Sequence, residues 1–182
     1  MKKIPTLFER DWNGDKSRVT PIVHPGCEWV LSGEGVATRK IDGSCCMIRG
    51  GELFKRRELR KDESTPFDFE LVNEDNETGK RIGWVQVGNG NEDKWHREAF
   101  GKSLPDGTYE LLGPKVQGNP EKYERHTLVS HNATDTYEAV PRTFDGLRDW
   151  LSAQDIEGLV FHHPDGRMAK IKLRDFGIKR PK

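Results

Sequence analysis

A lysine one residue ahead of a turn-forming Asp-Gly pair, Lys40-Ile41-Asp42-Gly43, is the part of this sequence best suited to chemistry. Val36–Ile41 reads as a strand near whose end Lys40 lies, so the amine is presented at the rim of a sheet. Such an amine attacks phosphorus only when neutral, which requires neighbouring cations or desolvation to lower its pKa. Lys170 and Lys172 are cations of that kind. Two apart on a strand, they point to the same face and can both reach one phosphate. Two acids belong to similar short motifs, Glu110 in Tyr109-Glu110-Leu111-Leu112-Gly113 and Glu157 in Glu157-Gly158-Leu159-Val160-Phe161. As residues at strand ends, these charges are expected to contribute little to stability.

A K-x-D-G tetrapeptide alone arises by chance in roughly a few per cent of chains this long. The four motifs together, ending in Lys170-Ile171-Lys172 and taken in this order, resemble motifs I, III, IV and V of the covalent nucleotidyltransferases. That superfamily comprises DNA ligases, RNA ligases and mRNA-capping enzymes. The resemblance implies Lys40 as the nucleophile that takes a nucleoside monophosphate and Glu110 as the contact to the ribose hydroxyls. It implies Glu157 near metal and phosphate, with Lys170 and Lys172 on the α-phosphate. The balance is chemically consistent, with two acids for hydroxyl and metal and three cations for a triphosphate. A divalent ion, Mg²⁺ or Mn²⁺, would offset charge between the target phosphorus and the leaving pyrophosphate. A further basic residue is expected on the next hairpin strand, and Phe54-Lys55-Arg56-Arg57-Glu58 supplies it. Alternation puts Arg56 on the face opposite Lys55 and Arg57, and family position favours Arg56 as the phosphate contact.

Longer segments narrow the resemblance. Lys40-Ile41-Asp42-Gly43-Ser44-Cys45-Cys46, Gly83-Trp84-Val85, Trp95-His96-Arg97-Glu98-Ala99-Phe100 and the run from Tyr109 to Pro120 are similar to the ATP-dependent 5′-to-3′ RNA ligase family that includes a human member. Many DNA ligases carry an arginine where this chain has Cys45. The chain ends ten residues after Lys172, so the separate oligonucleotide-binding (OB) domain of DNA ligases and capping enzymes is expected to be absent. The expectation is one α+β, antiparallel-sheet nucleotidyltransferase domain over residues 1–182. Its implied reaction is ATP-dependent joining of RNA 5′-phosphate and 3′-hydroxyl ends through lysyl-AMP and an adenylylated RNA end, as in RNA repair. The alternatives are a GTP-using guanylyltransferase, a DNA ligase, or a nucleotide- or RNA-end-binding module that does not ligate.

The surrounding chain must position these residues. Its 182 residues suffice for one domain with a real core and are too few for two comfortable ones. A third of the residues are charged and mean hydropathy is −0.83, yet five Trp and eight Phe argue against disorder. Net charge is zero, but Arg167–Lys182 carries seven Lys/Arg against one Asp, which suits a polyanion, and Glu63–Glu77 carries six acids. Strands are expected at Glu28–Leu31, Val36–Ile41, Ser44–Ile48, Glu52–Arg57, Ile82–Val87, Thr108–Leu112, Thr127–Ser130, Ile156–His162 and Met168–Leu173. Arg49-Gly50-Gly51-Glu52 and His163-Pro164-Asp165-Gly166 read as turns. Thr143 caps one helix ending near Ala153, Asp93 caps a shorter one closed by Gly101, and Asp62–Gly79 reads as a mobile acidic loop.

Three cysteines, Cys27, Cys45 and Cys46, fit reduced thiols rather than a disulfide framework. No signal peptide or membrane-length apolar stretch is visible, so a cytoplasmic or otherwise intracellular protein with no membrane partner is expected. The histidines at 24, 126, 131, 162 and 163 have spacings that fit no closed zinc set. Gly88-Asn89-Gly90-Asn91 lacks the Lys-Ser/Thr of a phosphate loop and reads as a turn. Asn119 offers an acceptor for a 2′-hydroxyl, and Trp84, Trp95 and Tyr109 read as core aromatics.

Overall fold

The computed structural model describes residues 2–75, 78–101 and 103–180. In chain order its elements begin with β1 (Phe8–Arg10), β2 (Val19–Val23), α1 (Glu28–Leu31), β3 (Val36–Lys40), β4 (Ser44–Arg49) and β5 (Glu52–Leu59). They continue with β6 (Glu70–Glu74), β7 (Arg81–Gln86), α2 (Lys94–Ala99), β8 (Gly107–Leu112) and β9 (Thr127–Ser130). The last are β10 (Thr136–Tyr137), α3 (Phe144–Ser152), β11 (Gly158–His162) and β12 (Met168–Lys172). All strand pairs are antiparallel and the helices are few and short, which makes the fold α+β. Among the described residues no helix is long and apolar enough to cross a membrane.

Two compact units form. One is Asp42–Ala133 with Lys2 and Lys3, and its six-stranded sheet runs β6-β7-β5-β4-β8-β9. Cys46, Ile48, Leu53, Tyr109, Leu111 and Leu128 alternate onto one face and make its core with Val116. The β4–β5 hairpin closes through Gly50 and Gly51 at φ of 59° and 75°, as a two-residue turn of the right hand requires.

The other unit is Ile4–Ile41 with the described residues from Thr134 onward, and its four-stranded sheet runs β10-β3-β11-β12. One face of that sheet is apolar, with Ala37, Leu159, Phe161, Ala169 and Ile171 fully buried against Leu147 and Leu151 of α3. Thr143 Oγ1 accepts from Gly146 N at 3.2 Å, which caps α3 as expected.

Four local expectations need correcting. Glu28–Leu31 is a short helix, because a four-residue run with three apolar residues fits either state and the left-handed glycines Gly26, Gly33 and Gly35 around it favour a tight turn. Asp62–Gly79 contains a strand, β6, which tolerates its acids because it lies at a sheet edge and Arg49 pairs with Glu70 at 2.6 Å. Asn76 and Glu77 of that stretch, and Lys182 of the basic tail, lie outside the described residues. Asp93 precedes α2 but does not cap it, since its carboxylate takes Lys55 Nζ at 2.5 Å and Gly88 N at 2.8 Å. Nor is α2 closed by Gly101, for Phe100 leaves the helix in an extended conformation.

Candidate functional site

Antiparallel pairing sets Lys40 of β3 and Lys172 of β12 on either side of Gly158 in β11. The next row of the same face is Thr38, Val160 and Lys170. Because alternate residues of these strands fill the apolar core, the lysines must stand on the opposite face. Glu157, just ahead of β11, is buried, and each of its oxygens accepts from one ammonium. Lys40 Nζ lies 2.6 Å from Oε2 and Lys172 Nζ lies 2.5 Å from Oε1. Gly158 is what permits this row: a Cβ there would strike the Ile171 carbonyl and come within 2.8 Å of Lys172 Cα. The Lys172 end is held by Asp175, whose buried carboxylate accepts from Lys172 N at 2.9 Å and from Arg10 at 2.8 Å.

Burial works to raise the Glu157 carboxyl, but the charges of Lys40 and then Lys172 outweigh it and hold the group below its ordinary 4.5. Burial pushes the Lys172 ammonium below its ordinary value, against the pull of Glu157. A depressed carboxyl contributes stability above its unfolded value, and that contribution is lost as pH falls through the folded one. The Glu157 carboxyl resonance in wild type is therefore expected to titrate below 4.5 by carbon-detected NMR, and Lys40→Ala should move the midpoint upward. An unmoved midpoint would show that Lys40 is not the neighbour that sets it.

Glu157 thus departs from the expectation of a surface-type charge. Each Glu157 oxygen accepts from one lysine, so a Mg²⁺ ligated there would have to share or displace those contacts.

In the other unit, Glu110 lies on β8 opposite Cys45 of β4. Its Oε2 is 2.9 Å from His131 Nε2, and His131 Nδ1 is 2.9 Å from Thr108 Oγ1. Gly43 of the Lys-x-Asp-Gly motif packs so closely on β8 that a Cβ would come within 2.8 Å of Glu110 Cγ. Cys46 pairs with Lys55, so Arg56 shares the face of Cys45 and Glu110, as alternation requires. Lys55 is bound to Asp93 and Arg57 to Glu63 at 2.8 Å, whereas Arg56 has no ion pair among the described residues.

The Asn119 side chain donates to Tyr123 O at 3.0 Å and accepts from Tyr123 N at 2.9 Å, which uses one of its two N–H donors and one of its two acceptor sites. Trp84 and Tyr109 are core residues, while Trp95 stacks on His126.

Of the expected site residues, Lys40, Glu157 and Lys172 are in direct contact, with Lys170 on the same strand face. Glu110 and Arg56 share one face of the other sheet. The sequence reading missed Gly158 and Asp175 as supports and His131 as the partner of Glu110. Gly158 alone had a legible signal, a glycine inside an apolar strand run, which marks a close backbone approach.

No protein-family model matches the chain. Among curated proteins it is similar to RNA ligase 1 of Rattus norvegicus, 25% identical across 80% of this chain and 68% of the rat protein. RNA ligase 1 of Mus musculus is 24% identical over the same shares. RNA ligase 1 of Danio rerio is 33% identical over a shorter stretch, 43% of this chain and 26% of that protein. The resemblance to RNA ligases carried by the short motifs therefore extends over most of the chain.

Proposed function

We propose that this chain is an ATP-dependent RNA ligase that works through a Lys40-AMP intermediate. The observation that carries the reading is the row Lys40–Gly158–Lys172, clamped by the single buried carboxylate of Glu157. Lys40 and Lys172 share that one carboxylate and Lys170 stands on the same sheet face, an arrangement that supports a polyphosphate site.

In the first step the Lys40 amine, having lost a proton, bonds to the α-phosphorus of ATP and pyrophosphate leaves. Glu157 Oε2 is 2.6 Å from the Nζ that must give up that proton. Lys172 and Lys170 would hold phosphate oxygens, so the substrate would draw Lys172 away from Glu157. In the second step an oxygen of the RNA 5′-phosphate displaces the amine from the AMP phosphorus. The P–N bond breaks and Lys40 regains its proton. In the third step an RNA 3′-hydroxyl attacks the activated 5′-phosphate, AMP departs and the strand is sealed. All three are displacements at phosphorus, for which positioning and cations supply most of the catalysis. Glu110 is proposed as the ribose contact and Arg56 as a phosphate contact. Mg²⁺ or Mn²⁺ would arrive bound to the triphosphate and offset its charge.

Incubation with α-labelled ATP, and separately with α-labelled GTP, followed by a denaturing gel tests the reading. Label from ATP alone is expected. Label from GTP alone would favour a guanylyltransferase, and no label from either would leave a binding module.

RNA is the proposed substrate. An open cleft of about 520 Å³ in the same unit as Lys40 is lined by Arg10, Lys16, Arg18, Arg174 and Lys179, with Asp15 and Asp175 the acids among its lining residues. If three or four phosphates contact it, ligation should fall about 20- to 50-fold between 50 and 200 mM salt, by ~0.7 log units per contact per decade of salt. Matched RNA and DNA substrates at the two salt concentrations measure this, and all-DNA ends should be joined poorly. Equal sealing of both, or indifference to salt, would revive the DNA-ligase alternative.

A further inference from the structure

Cys45, Glu110 and His131 reach one point from three neighbouring elements: β4, β8 and the turn that follows β9. Their thiol sulfur, carboxylate oxygen and imidazole nitrogen all lie within 4.8 Å of one another. We infer that these three side chains form a binding site for a soft divalent metal ion, Zn²⁺ by preference, with a fourth position open to water or a ligand.

The donor chemistry selects the ion. Thiolate, imidazole and carboxylate together suit Zn²⁺ or Co²⁺, whereas Mg²⁺ and Ca²⁺ require oxygen ligands. Three protein ligands with a free fourth place are the pattern of an exchangeable site rather than a closed structural one. The surroundings provide the orienting contact that metal-bound histidines usually have. His131 Nδ1 is 2.9 Å from Thr108 Oγ1, which can accept the Nδ1 proton once Nε2 turns to the ion. In the metal-free protein Nε2 instead faces Glu110 Oε2 at 2.9 Å, so the ion replaces a proton that those two groups share. On binding, the Cys45 thiol proton is released and the single His131 proton moves from Nε2 to Nδ1, with no redox change.

The other thiols do not compete. Cys27 and Cys46 are 1% and 0% exposed, and burial pushes the Cys27 thiol up to about 11 and that of Cys46 higher still. Cys45 is half-buried, with neighbours that can share an ion.

The metal site stands apart from the ligase reading. Its consequence for activity rests on that reading, because an ion held by Glu110 removes the carboxylate proposed to bind the ribose. Zinc would then compete with ATP.

Titration of the metal-free full chain with Co²⁺ is the test. A thiolate-to-cobalt charge-transfer band should saturate at one ion per chain, and added Zn²⁺ should abolish it. Cys45→Ser should lose the band while melting as wild type does, and His131→Ala should weaken Co²⁺ binding by about 100-fold or more. Thr108→Val removes only the orienting hydroxyl and should weaken binding by about tenfold. Absence of the band in wild type, or its persistence in Cys45→Ser, would overturn the site. ATP labelling in the presence of equimolar Zn²⁺ separates the two claims. Loss of labelling in wild type but not in Cys45→Ser supports competition. Unchanged labelling beside a saturated cobalt band would keep the metal site and remove Glu110 from nucleotide binding.

Discussion

Lys40→Ala is expected to lose covalent labelling from ATP by about three orders of magnitude or more, the scale of removing a nucleophile. The variant should nevertheless fold. Glu157 keeps Lys172 at 2.5 Å, so its buried carboxylate is not left without a partner. A loss of about 1 kcal/mol, or roughly 2–4 °C in melting temperature for a chain of this length, is the expected structural cost. Lys40→Arg should fail equally, since a guanidinium stays protonated and cannot attack, although it can still pair with Glu157. Labelling and a thermal melt on the same preparations check both statements. Substantial label on Lys40→Ala would move the covalent site elsewhere and sink the proposed mechanism.

The second large effect is expected from a residue with no functional group. Gly158→Ala puts a methyl against the Ile171 carbonyl and 2.8 Å from Lys172 Cα, and backbone cannot move aside as a flexible side chain can. β11 and β12 must separate at the row that holds Lys40 and Lys172. The expected cost is about 3 kcal/mol, roughly 6–12 °C in melting temperature. Labelling should fall about 100-fold, as displacements near 1 Å do at positioned sites. Gly166→Ala in the neighbouring turn is the control. That glycine has φ of 91° and open space around its Cβ position, so the variant is strained but leaves the lysine row in place. It should lose stability and keep its labelling. Wild-type labelling by Gly158→Ala would mean that the row does not set the geometry of the reaction.

How far the sequence foretold all this depended on range. The β4–β5 hairpin was legible because Gly50-Gly51 is a local signal, and α3 because Thr143 and its apolar stripe are local too. Lys40, Glu157, Lys170 and Lys172 were found through short motifs, whose order survives in sequence whatever the register of the strands. The meeting of Lys40 and Lys172 on Glu157 was not legible, since it depends on which residues β3, β11 and β12 set opposite one another. The same holds for Cys45 and His131 beside Glu110, which are far apart in sequence and join only when β4, β8 and β9 pair. β6 was missed because an acidic strand at an edge has the composition of a loop. The run at Glu28–Leu31 misled because three apolar residues behind one acid carry no period.

The alternation of β12 also bears on how faithfully the chain folds. Met168-Ala169-Lys170-Ile171-Lys172 sends Ala169 and Ile171 into the apolar layer and both lysines out of it. A slip of one residue against β11 would exchange the two sets and carry two ammoniums inside. Each would cost several kcal/mol of lost hydration, against a total stability of about 5–15 kcal/mol for a typical domain. Misaligned chains are therefore rejected by the same side chains to which the proposed chemistry is assigned. Apolar replacements at 170 and 172 would forfeit that discrimination and make the strand promiscuous in its pairing, an aggregation hazard quite separate from any loss of catalysis.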